Sequence, residues 1–144
     1  MKALFWNIRG MGKPSRVRLL KDLISQEQFE LVGVQETIKQ HFFLQELEAL
    51  TPGINFKWNW VPAKGHSGGI LLGVRGDILE VENWVTGNFF VEAQVRHRSS
   101  NLRWSFLTVY GPANHELSEI FFDGAGAKVL PNNFSTCSRG VILT

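Results

Sequence analysis

The chain has 144 residues, enough for one domain or for part of a larger one. Hydrophobic residues make up 44% and charged residues 19%, a balance that excludes disorder for the bulk of the chain. Fifteen Lys and Arg against 13 Asp and Glu leave a formal charge of +2, too small to name a polyanionic partner by itself.

The N-terminal run Met1 to Asn7 is apolar only briefly, and Asn7 and Arg9 interrupt it before any small-residue cleavage site, so it does not read as a signal peptide. Lys2 to Ile8 reads as a buried strand. Arg9 to Pro14 holds Gly10, Gly12 and Pro14 and reads as a loop. Ser15 is expected to cap a helix over residues 16–26, with Val17, Leu20 and Ile24 on one face. Residues 30–35 suit a second buried strand, and a second helix is expected near 41–50, ended by Thr51-Pro52-Gly53.

Beyond residue 54 the pattern becomes two-residue. Phe56, Trp58 and Trp60 alternate with Lys57 and Asn59, giving a strand over 56–61. Further strands are expected over 69–74, 78–85, 89–97 and 102–110, the last two joined as a hairpin through Arg98-Ser99-Ser100-Asn101. The seven strands are expected to form mostly one mixed sheet, with both helices on one face, in an α+β fold. Residues 124–144 show no clear period, and 123–144 is expected to be an unrelated, poorly ordered tail. No apolar run approaches the roughly 18 residues of a membrane span. The single cysteine, Cys137, excludes a disulfide framework and a cysteine-rich zinc site and favours a reducing, intracellular compartment. The histidines His41, His66, His97 and His115 lack zinc spacing.

Two short glycine patterns carry little. Gly10-Met11-Gly12-Lys13-Pro14-Ser15 is near the dinucleotide-binding pattern, but Ser15 stands where the third glycine belongs. Gly65-His66-Ser67-Gly68-Gly69 matches the serine-hydrolase elbow, with Asp77 and then His97 or His115 following. The elbow needs a helix after its serine, and here a strand follows, so no backbone donors are in place for an oxyanion.

A scattered set is more informative. Asn7 ends the first strand and Gln35-Glu36-Thr37 ends the second, and the ends of neighbouring parallel strands are the usual place for a site. One carboxylate, Glu36, with the neutral amide oxygen of Asn7, suits Mg²⁺, which keeps several waters and takes further oxygens from phosphate. Four motifs then occur in order: Leu4-Phe5-Trp6-Asn7-Ile8-Arg9-Gly10, Val34-Gln35-Glu36-Thr37, His66-Ser67-Gly68-Gly69-Ile70 and Val109-Tyr110-Gly111-Pro112. With these motifs the chain, from Met1 to about Phe122, resembles the endonuclease/exonuclease/phosphatase superfamily. More narrowly, it is similar to the apurinic-endonuclease-like domain of plant LINE-type (non-LTR) retrotransposons. The resemblance implies part of a four-layer α/β sandwich and Mg²⁺-dependent phosphodiester hydrolysis, with DNA as the partner. It implies Asn7 and Glu36 as metal ligands, Tyr110 as the catalytic contact to the scissile phosphate, and Ser67 and Gly68 as a turn that shapes the site. Arg9, Lys13 and Arg16 are the expected nucleic-acid contacts.

The sequence departs from that family. Its Gly-Asp-Phe-Asn and Ser-Asp-His motifs are absent, Pro131-Asn132-Asn133-Phe134 is no substitute, and no histidine follows His115. The expectation is therefore a truncated, catalytically impaired domain. If only the first sheet is present, its inner apolar face is uncovered and the chain is expected to be molten or aggregation-prone. Two other readings stay open. One is a non-catalytic nucleic-acid-binding fragment using Lys13, Arg16, Arg18 and the Arg96, Arg98 and Arg103 hairpin. The other is a serine hydrolase using Ser67.

Overall fold

The computed structural model describes residues 2–110, 128–129 and 138–143. The chain runs β1 (Ala3–Asn7), α1 (Pro14–Glu27), β2 (Leu31–Gln35), α2 (Leu44–Leu50), β3 (Phe56–Val61) and β4 (Ile70–Arg75). It continues through β5 (Leu79–Thr86), β6 (Phe90–His97), β7 (Arg103–Tyr110), β8 (Lys128–Val129) and β9 (Ser138–Leu143). The fold is α+β, with two helices and with one mixed and one antiparallel sheet.

The strands do not share one sheet, as the sequence pattern suggests. They divide into a four-stranded sheet, β1-β2-β4-β3, and a five-stranded one, β5-β6-β7-β9-β8. β1 and β2 are parallel, with Asn7 opposite Gln35, and the crossover that a parallel pair requires is α1. α1 opens on Lys13 and Pro14, and Ser15 is not its cap: Pro14 occupies the first turn, where its missing N–H costs nothing.

The apolar faces show how the layers stack. Leu20 and Ile24 of α1 and Leu47 and Leu50 of α2 pack with Val32, Val34 and Leu71, so both helices cover one face of the first sheet. The opposite face carries Leu31, Ile70, Leu72 and Val74, which pack with Leu79, Val91, Ala93, Val95 and Phe106 of the second sheet. The uncovered inner face expected from the sequence is thus corrected: β5–β7 cover it. Gly33 lets β2 and β7 approach, because a Cβ there would stand 2.6 Å from the Phe5 ring and 2.9 Å from Thr108 Oγ1. The expected poorly ordered tail over 123–144 falls mostly outside the described residues. The parts that are described form strands, and β9 pairs antiparallel with β7. Among the described residues, no helix is long and apolar enough to cross a membrane.

Candidate functional site

The first three strand ends and the end of β7 meet at one end of the paired sheets. The β1–β2 ladder extends into the following loops: Ile8 N–H donates to Gln35 C=O at 3.0 Å, Gly10 N–H to Glu36 C=O at 2.8 Å and Met11 N–H to Thr37 C=O at 2.9 Å. The loop before β4 joins them, with Thr37 N–H bonded to Gly69 C=O at 3.2 Å and Ile38 N–H to Gly68 C=O at 3.0 Å. Three loops that are far apart in sequence are thereby laced together by backbone bonds.

Onto this platform β7 brings Tyr110, whose hydroxyl donates to Glu36 Oε1 at 3.3 Å. Glu36 is fixed twice, by its carbonyl to Gly10 and by its carboxylate to Tyr110. Gly68 lies against the Tyr110 ring: a Cβ there would stand 3.3 Å from the ring. Alternation places Ala3 and Phe5 toward the second sheet and Leu4 and Trp6 toward the helices, so Asn7 faces the second sheet beside Gln35. Asn7 Oδ1 accepts from Arg9 N–H at 3.2 Å. The structure thus gathers Asn7, Glu36, Gly68 and Tyr110 at one sheet end, and Ser67 sits in the adjoining turn.

Backbone strain concentrates there. Arg9, Glu36 and Ile38 have φ of 53°, 52° and 53°, a left-handed conformation that side chains with a Cβ rarely adopt, β-branched isoleucine least of all. Such outliers gather at sites where the surroundings over-determine them, and here the laced backbone bonds do so.

The basic residues separate. Arg9 and Lys13 are exposed on the β1–α1 loop. Arg16 is committed to that loop, its Nη1 donating to Ile8 C=O at 3.2 Å and to Arg9 C=O. The hairpin arginines lie at the far end of the sheet. Arg96 is paired with Glu80, Arg103 with Glu82, and Arg98 Nε donates to Gly76 C=O. Those bonds pull the Glu80 carboxyl below the usual range and raise Arg103.

A hydrolytic triad does not assemble around Ser67. Its hydroxyl donates to Lys64 C=O at 3.3 Å, while Asp77 is bound by Arg75 Nε at 2.9 Å beyond the other end of β4. His97 contacts Ser99 at that same far end, and His115 lies outside the described residues.

Sequence reasoning missed two polar groups below the site. Gln35 and Thr108 are fully buried, and neither the Gln35 amide nor Thr108 Oγ1 has a hydrogen-bond partner among the described residues. A glutamine at the end of an apolar strand reads as the first solvent-facing residue, so the pattern gives no sign of its burial. Compared with known proteins, the chain matches no family model and no curated sequence.

Proposed function

We propose that this chain carries a Mg²⁺- and phosphodiester-binding site of the endonuclease/exonuclease/phosphatase type, in the apurinic-endonuclease-like branch of LINE-type retroelements. Its fold on this reading belongs to that superfamily's sandwich. The observation that carries the proposal is the hydrogen bond from Tyr110 to Glu36, because it joins two motifs 74 residues apart at the strand end that also bears Asn7.

On this reading one carboxylate and one amide oxygen suffice as the protein's ligands to Mg²⁺. No group of three or more His, Cys, Asp and Glu side chains placed to hold a metal ion occurs among the described residues. Mg²⁺ is commonly held by only one or two carboxylates and completes its shell with water and phosphate oxygens. Glu36 would supply the carboxylate. Asn7 Oδ1 would supply a neutral oxygen. When bound, Mg²⁺ stabilises negative charge on a phosphoryl oxygen. On this reading Tyr110, with a single O–H, holds the Glu36 carboxylate in the free protein and turns that O–H to the phosphate when it binds, and Arg9 and Lys13 neutralise flanking phosphates.

The Gly-Asp-Phe-Asn and Ser-Asp-His motifs, which supply that family's water-orienting pair and histidine, do not occur in this sequence. Loss of general acid–base help alone lowers rates by roughly 10²–10⁴. The function proposed is therefore Mg²⁺-assisted phosphodiester binding with little or no turnover. Isothermal titration with Mg²⁺ and a dinucleotide tests it, alongside plasmid nicking. The expected result is Mg²⁺-dependent binding that Glu36→Ala abolishes, with nicking near background. Binding indifferent to both Mg²⁺ and Glu36→Ala overturns the reading.

A further inference from the structure

Beside the Glu36–Tyr110 pair, at the same end of the sandwich, lies a groove of about 310 Å³ between the end of β3 and the β5–β6 turn. Val61, Pro62, Lys64, Thr86 and Asn88 line it. At its rim the Lys64 ammonium sits 5.4 Å from the centre of the Phe89 ring, which is 41% exposed. Lys64 makes no ion pair among the described residues.

Both residues are fixed to the site. Lys64 opens a turn closed by two backbone bonds with Ser67, at 2.9 and 3.2 Å, and the next residue, Gly68, lies on the Tyr110 ring. Phe89 is held from the other side, its carbonyl accepting from Tyr110 N–H at 2.8 Å. A cation without an ion-pair partner among the described residues and an exposed aromatic ring thus flank the tyrosine.

We propose that Lys64 and Phe89 form a second subsite, which takes the nucleoside next to the phosphate held at Glu36. The Phe89 ring stacks on an unpaired base, the sugar enters the groove, and the Lys64 ammonium moves from the ring to the flanking phosphate. Stacking on a side chain requires a free base face, which a duplex does not offer without unstacking. The preferred ligand is therefore single-stranded nucleic acid. This inference rests on the phosphodiester reading and narrows its substrate class.

The test uses the full chain with Mg²⁺ and a short oligodeoxynucleotide carrying one 2-aminopurine, read by fluorescence and by titration at several salt concentrations. The wild type is expected to quench the probe and to prefer it to the matching duplex. Phe89→Ala is expected to lose the quench and roughly 5- to 100-fold in affinity, the range found when a stacking aromatic is removed. Lys64→Gln is expected to flatten the log–log salt dependence by about 0.7, the value for one phosphate contact on a single strand. Near-UV circular dichroism checks that Phe89→Ala is folded. If it is not, the Lys64→Gln slope and the wild-type quench decide. Variants that bind and quench like the wild type, or an equal preference for duplex, overturn the subsite. Glu36→Ala separates the two claims. Mg²⁺ dependence that it removes, with Phe89→Ala silent, sinks the subsite and leaves the phosphodiester reading standing. Loss on Phe89→Ala with no effect of Mg²⁺ or Glu36→Ala keeps the base contact and sinks that reading.

Discussion

Tyr110, the last residue of β7, donates its hydroxyl to the carboxylate of Glu36, the first residue after β2, across the junction of the two sheets. The bond links the sheets at the end where three loops are already laced together. It also sets the direction of a half-buried carboxylate whose backbone is held in a left-handed conformation.

Tyr110→Phe keeps the ring against Gly68 and removes only the donor. A long bond of 3.3 Å to a partly solvated carboxylate places the expected loss near 1 kcal/mol, toward the middle of the range for neutral donors. Urea denaturation reads this directly. A loss above about 3 kcal/mol would show that the hydroxyl holds more than Glu36.

Gly68 and Gly69 both have positive φ, 77° and 91°, but they differ in the space beside them. A Cβ on Gly68 meets the Tyr110 ring at 3.3 Å, whereas one on Gly69 would stand 2.2 Å from Thr37 Oγ1. Gly68→Ala is expected to cost about 1–2 kcal/mol from conformation alone. Gly69→Ala adds a collision with a buried side chain and is expected to cost more. Thermal melts of the two variants check the order, and the reverse order would contradict the loop packing described.

The strands and helices were legible because two-residue alternation and the Gly and Pro breaks mark them locally. β3 runs over the expected residues 56–61, and β6 and β7 form the expected hairpin. The division into sheets was not legible. Gly76-Asp77 reads as a turn between β4 and β5, yet β4 pairs with β2 and β3 while β5 pairs with β6. Alternation states which face of a strand is buried, and says nothing about which strand lies beside it. The meeting of the β1 and β2 ends was legible because the two strands are joined by one helix. The burial of Gln35 was not, because it depends on β7, more than 60 residues away, closing over it.

Gln35 is the place where stability and site are expected to conflict. Its amide is fully buried without a partner among the described residues. A buried polar group left unsatisfied costs about 1–3 kcal/mol, and an apolar side chain of similar volume removes that cost. Gln35→Met is expected to leave stability unchanged or raise it by about 1 kcal/mol. A large loss on chemical denaturation would mean that the amide is satisfied, by ordered water for example.

The pH response follows from Asp77. The guanidinium of Arg75 hydrogen-bonds its carboxyl and lowers it below the usual carboxylate value. A carboxyl lowered on folding adds stability above its unfolded value, near 3.9, and that contribution disappears as pH falls through the folded value. Asp77 is half exposed, so the effect is small and screened by salt. Asp77→Asn is expected to lower stability by a small constant amount near neutrality, a difference that closes as pH falls below about 4. A difference between the two proteins that grows above pH 5 would contradict this assignment.

The second sheet decides whether this chain folds cooperatively, and Phe106 is the residue that reports it. Phe106 is fully buried on β7 and packs among the inner-face residues that join the sheets, including Leu72, Val74 and Leu79. If the sheets close on one another as described, Phe106→Ala opens a cavity between them and costs about 3–5 kcal/mol, the usual range for a buried phenylalanine. That is a large share of the 5–15 kcal/mol of an ordinary domain, so the variant is expected to be marginal at room temperature. Leu19→Ala is the control. Leu19 is 50% exposed on α1, away from the junction, and its loss is expected to stay within about 1 kcal/mol. Circular dichroism melts of the wild type and both variants make the comparison. A single cooperative transition that Phe106→Ala lowers steeply and Leu19→Ala barely moves supports the closed sandwich. A broad transition in the wild type, equally insensitive to both substitutions, would show that the inner faces do not pack and that the chain is molten after all.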